Sequence, residues 1–268
     1  MSAFQGKRVV VTGAGQGIGY GLCRAFAQAG AFVALNDADP ALAQQAAGAI
    51  NREIDAERVR AYPADIADVS AVTTLIDNFA DQHGGLEIVI ANAGITRYMP
   101  FLESTPEIFD RVTSVNLRGT YFTAQAGAKR MIASKIPGRI LLTSSIVGMQ
   151  AYPNFSIYGM TKAALQMLAR SLALELGEYG ITVNTITPGA TLTERVLRED
   201  PNYEANWAKA NVTGRVGYVE DVVEAALFLA SPGARQITGH NLVVDGGWSI
   251  RSPLPEEIPT MPERQDYA

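Results

Sequence analysis

Two side chains four residues apart, Tyr158 and Lys162, could between them move a proton. In a helix, residues i and i+4 share a face. An ammonium beside a phenol stabilises the phenolate and draws the tyrosine pKa down from about 10. Such a tyrosine exchanges a proton with an alcohol or a carbonyl near neutral pH. Most Tyr/Lys pairs at this spacing are surface pairs. What sets this one apart is Thr143-Ser144-Ser145, just upstream at the end of an expected buried strand. Open α/β sheets bind their ligands beyond the C-terminal ends of their strands.

A second group of residues could hold a dinucleotide. The apolar run Arg8–Val11 leads into Thr12-Gly13-Ala14-Gly15-Gln16-Gly17-Ile18-Gly19, followed by a helical pattern. Glycines at a strand-to-helix turn let the backbone approach a pyrophosphate, and the helix N-terminus adds free N–H groups and a positive dipole end. The spacing is T-G-x-x-x-G-x-G, since Ile18 stands where the common G-x-G-x-x-G pattern wants its third glycine. Asp37 follows Gly13 by 24 residues, at the end of the next strand. A carboxylate there accepts hydrogen bonds from the adenosine ribose of NAD and repels the 2′-phosphate of NADP. Asp39-Pro40 already supplies a helix cap, which leaves Asp37 free for this role. No Lys or Arg lies at positions 14–16 or 38–39 to welcome an extra phosphate.

These residues must be positioned by an alternation of short apolar strands and longer helical stretches. Expected strands are Arg8–Val11, Phe32–Leu35, Val59–Tyr62, Ile88–Ala91, Ile140–Thr143, Thr182–Ile186 and Leu242–Val244. Several are unbroken Val/Ile/Leu runs, as in parallel strands covered on both faces. Helical patterns span 18–29, 40–53, 69–82, 106–133, 156–178, 192–210 and 220–230. This order implies an α/β fold with a doubly wound sheet. With no linker in view, residues 1–248 read as one domain. The stretch 249–268 reads as an extended tail, with Pro253, Pro255, Pro259 and Pro262.

Composition narrows the function classes. The chain has 268 residues, 47% of them hydrophobic, and a net charge of −5. It is too apolar for disorder and lacks an uninterrupted span for a membrane. Scattered basic residues on an acidic chain argue against nucleic acid as a partner. One cysteine, Cys23, excludes an intrachain disulfide, and with two histidines, His83 and His240, leaves no zinc set; no metal is expected. Cys23 reads as core, His83 as a helix-end residue and His240 as a loop residue. The expectation is a soluble cytoplasmic protein.

Thr12–Gly19, Asn92-Ala93-Gly94, Asn116, Ser145, Tyr158-x-x-x-Lys162 and Pro188-Gly189 together resemble the short-chain dehydrogenase/reductase superfamily, in its compact branch, over about residues 5–248. Six motifs in the right order are a specific signal. Ala91 departs from the family by standing where many members have an additional asparagine. The resemblance implies a single-domain Rossmann fold with a seven-stranded parallel sheet, a nicotinamide cofactor and a homotetramer. It implies a tetrad of Asn116, Ser145, Tyr158 and Lys162. Ser145 is chosen over Ser144 because the family serine stands 13 residues before the tyrosine. Asn116 would hold a proton-relay water, and Lys162 would also bind the nicotinamide ribose. The cofactor set is Gly13, Gln16, Gly17, Ile18, Gly19, Asp37, Asp65, Ile66, Asn92, Gly94, Tyr158, Lys162, Pro188, Gly189, Thr191 and Thr193.

Substrate preference is expected from residues 190–212, which in the family fold over the substrate as a lid. This lid carries charge, amides, Tyr203 and Trp207, which suits a small, hydroxyl-rich ligand better than a steroid or long acyl chain. The segment is similar to those of bacterial NAD-dependent glucose or other aldose 1-dehydrogenases. The substrate set is Arg97, Ser145, Gln150, Asn154, Arg195, Arg198 and Trp207. Arg195 and Arg198, three apart, could share a face and favour an acidic sugar, or pair with Glu194 and Glu199 on a solvated surface. The competing reading is a 3-oxoacyl thioester reductase, because Asn92-Ala-Gly-Ile-Thr-Arg97 is reminiscent of those enzymes.

Overall fold

A computed structural model describes residues 3–251; the proline-bearing part of the expected tail, 252–268, lies outside the described residues. Seven strands form one sheet: β1 (Arg8–Val11), β2 (Phe32–Leu35), β3 (Val59–Ala61), β4 (Ile88–Ala91), β5 (Arg139–Thr143), β6 (Thr182–Pro188) and β9 (Asn241–Val244). Two dipeptide strands, β7 (Thr191–Leu192) and β8 (Gly217–Tyr218), pair beside it. The sheet order is β3-β2-β1-β4-β5-β6-β9, and every neighbouring pair is parallel. The expected single α/β domain of Rossmann type is therefore the observed one.

The strand sequences explain the layers. Side chains alternate across a strand, so a run of apolar residues feeds both faces. Val9, Val11, Ile88, Ile90 and Leu141 pack beneath α1 (Gly17–Gln28), α2 (Pro40–Ile54) and α9 (Val219–Ala230). Val10, Val89, Ala91, Ile140 and Leu142 pack beneath α3 (Val69–His83), α5 (Thr120–Ala133) and α6 (Ser156–Leu176). Cys23 is fully buried in the first layer, and burial pushes its thiol pKa up. His83 ends α3 and stacks on Phe79 at 4.7 Å and Phe32 at 5.0 Å. Burial, with Arg60 and Arg8 nearby, pushes its pKa down.

Two expected helices are interrupted. The pattern 106–133 begins as α4 (Pro106–Thr113), widens into a π-helical turn over Ser114–Gly119, and resumes as α5. The pattern 192–210 splits into α7 (Glu194–Glu199) and α8 (Tyr203–Ala208). Pro201 accounts for the split. It forces the preceding Asp200 out of the helical region, to φ −141° and ψ 98°. The sheet order reverses between β1 and β4, and a crevice opens at their C-terminal ends.

Candidate active site

A cleft of about 570 Å³ occupies that crevice. The Thr12–Gly19 turn forms its floor. Thr12 Oγ1 accepts from the N–H groups of Asn92 and Ala93, both at 3.1 Å. Asn92 Nδ2 donates to Thr12 O and Gly13 O, and its Oδ1 accepts from Thr143, tying the ends of β1, β4 and β5 together. Gly13 has φ +62°, and a Cβ there would lie 2.6 Å from Ala93 Cα. A Cβ on Gly19 would lie 2.3 Å from Gly13 O, so α1 starts hard against the turn only because Cβ is absent at this position. The Gln16 side chain makes no cap at the start of α1. In α2, by contrast, Asp39 accepts from Ala41 and Leu42. The first-turn N–H groups of α1 therefore lack a side-chain acceptor where Gly17, Ile18 and Gly19 line the cleft, an arrangement that fits a pyrophosphate.

At the far end of this floor, Asp37 Oδ2 accepts from Gly15 N–H at 3.0 Å and Oδ1 from Asp39 N–H at 3.1 Å. The carboxylate is thus fixed where β2 ends, on the cleft wall beside Asn36 and Ala38. Asp65 and Ile66 line the wall beyond it. Burial opposes the charge of Asp65, but the Ala67 N–H and Arg111, at 2.8 Å, hold its carboxyl below the usual range.

Tyr158 and Lys162 sit in the first two turns of α6, facing the inner end of the cleft. Ser145 follows β5. Its hydroxyl and that of Thr96 bond the Tyr158 phenol, and Arg195 faces it. The Ser144 hydroxyl is committed elsewhere, donating to Lys162 O at 2.8 Å and accepting from Gln166. Lys162 is buried; its Nζ donates to Thr143 O at 2.7 Å and lies 5.6 Å from the Tyr158 ring centroid. Burial pushes Lys162 down to about 8. The expectation that Lys162 draws the Tyr158 pKa down is corrected here. Burial raises Tyr158, and the groups that offset this are Ser145, Thr96 and Arg195. The ammonium is turned to a carbonyl and lies over the ring face.

Asn116 lies in the π-helical turn, fully buried. Its Oδ1 accepts from Ile95 N–H at 2.8 Å, and its Nδ2 donates to Ile95 O and to Thr161 Oγ1. Gly94 passes so close that a Cβ there would lie 3.2 Å from Lys162 Nζ and 3.5 Å from Asn116 Oδ1. Pro188, Gly189, Thr191 and Thr193 also line the cleft. The Thr193 hydroxyl also caps α7 by accepting from Val196 N–H.

The substrate set is only partly brought together. Arg97, Ser145 and Arg195 line the cleft. Gln150 does not reach it; its amide donates to Ser249 O at 2.9 Å. Asn154, at φ +66°, donates to the Tyr98 hydroxyl at 2.7 Å, outside the cleft. Trp207 packs edge-to-face on Trp248 at 4.9 Å and does not line the cleft. Arg195 and Arg198 part company. Arg195 lines the cleft 3.9 Å from Glu199, while Arg198 donates to Gln16 Oε1 at 3.3 Å, beside the glycine turn. Thr96 and Tyr203, outside the expected site set, also line the cleft. Thr96 adjoins Arg97, and Tyr203 is one of the lid aromatics.

The family model for enoyl-(acyl carrier protein) reductase matches residues 13–249. A short-chain dehydrogenase/reductase of Armillaria gallica is 36% identical, covering 92% of this chain and 97% of its own. An L-rhamnose 1-dehydrogenase (NAD(P)+) of a Sphingomonas species is 35% identical, covering 93% and 99%. The crystal structure of a short-chain type dehydrogenase/reductase from Mycobacterium marinum is similar with a TM-score of 0.85 and 32% identity, over 91% of this chain and 96% of that one. The chain belongs to the short-chain dehydrogenase/reductase superfamily. It is thus an oxidoreductase, and its fold implies a nicotinamide cofactor, which the glycine floor and uncapped α1 N-terminus fit. Among the described residues no helix is long and apolar enough to cross a membrane.

Proposed function

We propose that the protein oxidises an aldose in its ring form at the anomeric carbon, giving a lactone and reducing NAD. The observation that carries this reading is one cleft holding Asp37 at one end and Tyr158, Ser145 and Lys162 at the other, under a polar lid. The relative that acts on L-rhamnose at carbon 1 supports the sugar. Asp37 supports NAD, because its fixed carboxylate opposes a 2′-phosphate.

When bound, the nicotinamide ring supplies an acceptor for the hydride on the substrate carbon. Tyr158, whose burial would be offset by the positive charge of that ring so that its phenolate is favoured, takes the proton of the reacting hydroxyl. Ser145 donates a hydrogen bond to the same oxygen and steadies its developing charge. Lys162, 5.6 Å from the Tyr158 ring, would hold the nicotinamide ribose. Asn116 is a positioning residue; through Ile95 it holds Thr96 and Arg97 along the cleft. Gly13, Gln16, Gly17, Ile18 and Gly19 would hold the pyrophosphate, Asp65 and Ile66 the adenine, and Pro188, Gly189, Thr191 and Thr193 the carboxamide. Tyr158 donates the proton back in the reverse, carbonyl-reducing direction.

A homotetramer is proposed on the α5 and α6 faces, where Leu117, Tyr121, Phe122, Met167 and Leu168 line an apolar groove, and on the flanks of β9. Tyr121 and Met167 are exposed in the single chain, as a subunit interface would leave them.

A panel of aldoses, polyols and 3-oxoacyl thioesters, each with NAD and with NADP, tests the reading. Oxidation of an aldose with NAD is expected. Reduction of the thioester with no aldose oxidised would replace it.

A further inference from the structure

Beyond the residues that handle the reacting hydroxyl, the cleft holds a second polar cluster on the lid. Tyr203 is the first residue of α8, and its hydroxyl enters the cleft alongside Tyr158, Thr191 and Arg195. The Thr191 backbone N–H hydrogen-bonds the phenol oxygen, and the Arg195 guanidinium faces it. Tyr158 is near enough that negative charge on either phenol would oppose the other. Burial, then Asp200, push Tyr203 up to about 12, so the hydroxyl keeps its proton at neutral pH. Among the described residues no acceptor takes that proton. Tyr203 is therefore a donor aimed into the cleft with its own oxygen already supported.

Its place is rigidly set for a lid residue. The ring packs on Trp207 at 5.6 Å, Trp207 on Trp248 at 4.9 Å, and Trp248 on Tyr152 at 5.4 Å. These four rings come from the lid, the segment after β9 and the loop after β5. The neighbouring Glu204 accepts from the Tyr218 hydroxyl at 2.6 Å, tying α8 to the start of α9. Edge-to-face ring pairs add to the area they bury, and a held donor loses less entropy on binding than a mobile one.

We propose that Tyr203, with Arg195, is a specificity-determining residue that binds a second substrate oxygen close to the reacting carbon. The substrates it selects are α-hydroxy compounds, of which a ring-form aldose with its 2-hydroxyl is one. This rests on the sugar reading above. One cluster, Ser145 and Tyr158, takes the oxygen that is oxidised; the other, Tyr203 and Arg195, takes the oxygen beside it. A substrate lacking that second oxygen leaves the half-buried donor unpaired, and this is how a polar site rejects an analogue.

The test uses the full chain and matched pairs: glucose with 2-deoxyglucose, galactose with 2-deoxygalactose, ribose with 2-deoxyribose. Turnover with NAD is one readout. Equilibrium binding of each sugar to the enzyme–NADH complex, followed by reduced-nicotinamide fluorescence, is the other and requires no chemistry. The wild type is expected to favour the hydroxylated member by about 10- to 100-fold. Tyr203→Phe keeps the ring stack and should abolish that preference by weakening the hydroxylated sugar alone, with NADH affinity unchanged. A Tyr203→Phe protein that keeps the preference, or loses equally on both members, overturns the proposal. Binding discrimination without turnover of any aldose would overturn the proposed reaction and leave this assignment standing. Aldose turnover without Tyr203-dependent discrimination would do the reverse, and neither turnover nor binding overturns both.

Discussion

Replacing Lys162 with methionine removes a buried cation while keeping most of the side-chain volume. Burial lowers the Lys162 pKa from 10.5 to about 8. At about 1.4 kcal/mol per pH unit this is about 3 kcal/mol of differential cost for the charged form, an order-of-magnitude figure. Below pH 8 both the folded and unfolded states carry the proton, so the full cost weighs on the fold. Between pH 8 and 10.5 the folded protein gives up the proton while the unfolded chain keeps it, so stability is regained as pH rises. The Lys162→Met protein has no such term. It does lose the 2.7 Å bond to Thr143 O, but the orphaned carbonyl, worth about 1–3 kcal/mol, does not titrate. Urea denaturation of both proteins from pH 7 to 10 isolates Lys162, since other titrating groups cancel in the difference. Wild-type stability relative to Lys162→Met should climb with pH, by most of that 3 kcal/mol. Turnover by Lys162→Met should fall at least about 100-fold. A stability difference that stays flat across this range would show that Lys162 is not a strained buried cation and would refute the reasoning.

Tyr158→Phe should lower turnover by about three orders of magnitude while leaving NAD binding within about twofold, because the hydroxyl moves the proton and does not hold the cofactor; calorimetric titration with NAD beside a steady-state assay checks both. Asp37→Ala combined with Ala38→Arg should shift preference from NAD towards NADP, and Arg198→Ala should reduce whatever NADP use the wild type has, since Arg198 is the guanidinium that the fold brings to Gln16; kcat/KM for the two cofactors decides each. Met167→Glu, placing a charge in the α5–α6 groove, should split the proposed tetramer, read as a drop in mass by light scattering without loss of helical signal.

Much of this architecture was legible in the chain because the sheet is buried on both faces. Unbroken runs such as Val9-Val10-Val11 and Ile88-Val89-Ile90 have no other economical use than a parallel strand between two helical layers. The glycine turn and Asp37 were legible for a related reason. The turn's glycine spacing is set largely by local backbone geometry, as the clash of a Gly19 Cβ with Gly13 O and Ala14 shows. The lid was not legible in the same way. Periodicity joined 192–210 into one helix, yet Pro201 breaks it into α7 and α8, and within α7 Arg195 turns to the cleft while Arg198 reaches Gln16. Gln150, Asn154 and Trp207 were assigned by their chemical type alone. Their partners, Ser249, Tyr98 and Trp248, lie far away in sequence, so nothing local announced that these side chains were already engaged. Thr96 and Tyr203 gained their places for the converse reason: β4 and the lid meet over Tyr158 only in three dimensions. The pKa direction at Tyr158 likewise depends on burial and on how Lys162 is turned, neither of which an i,i+4 spacing specifies.

Formation of reduced nicotinamide and lactone by the wild type and by Tyr158→Phe, from one aldose with NAD, tests the central claim most directly. The wild type should produce the two in equal amounts, more efficiently with NAD than with NADP, and Tyr158→Phe should produce neither at a comparable rate. Equal yields from the two proteins, or reduced cofactor with no lactone from the wild type, would contradict the account.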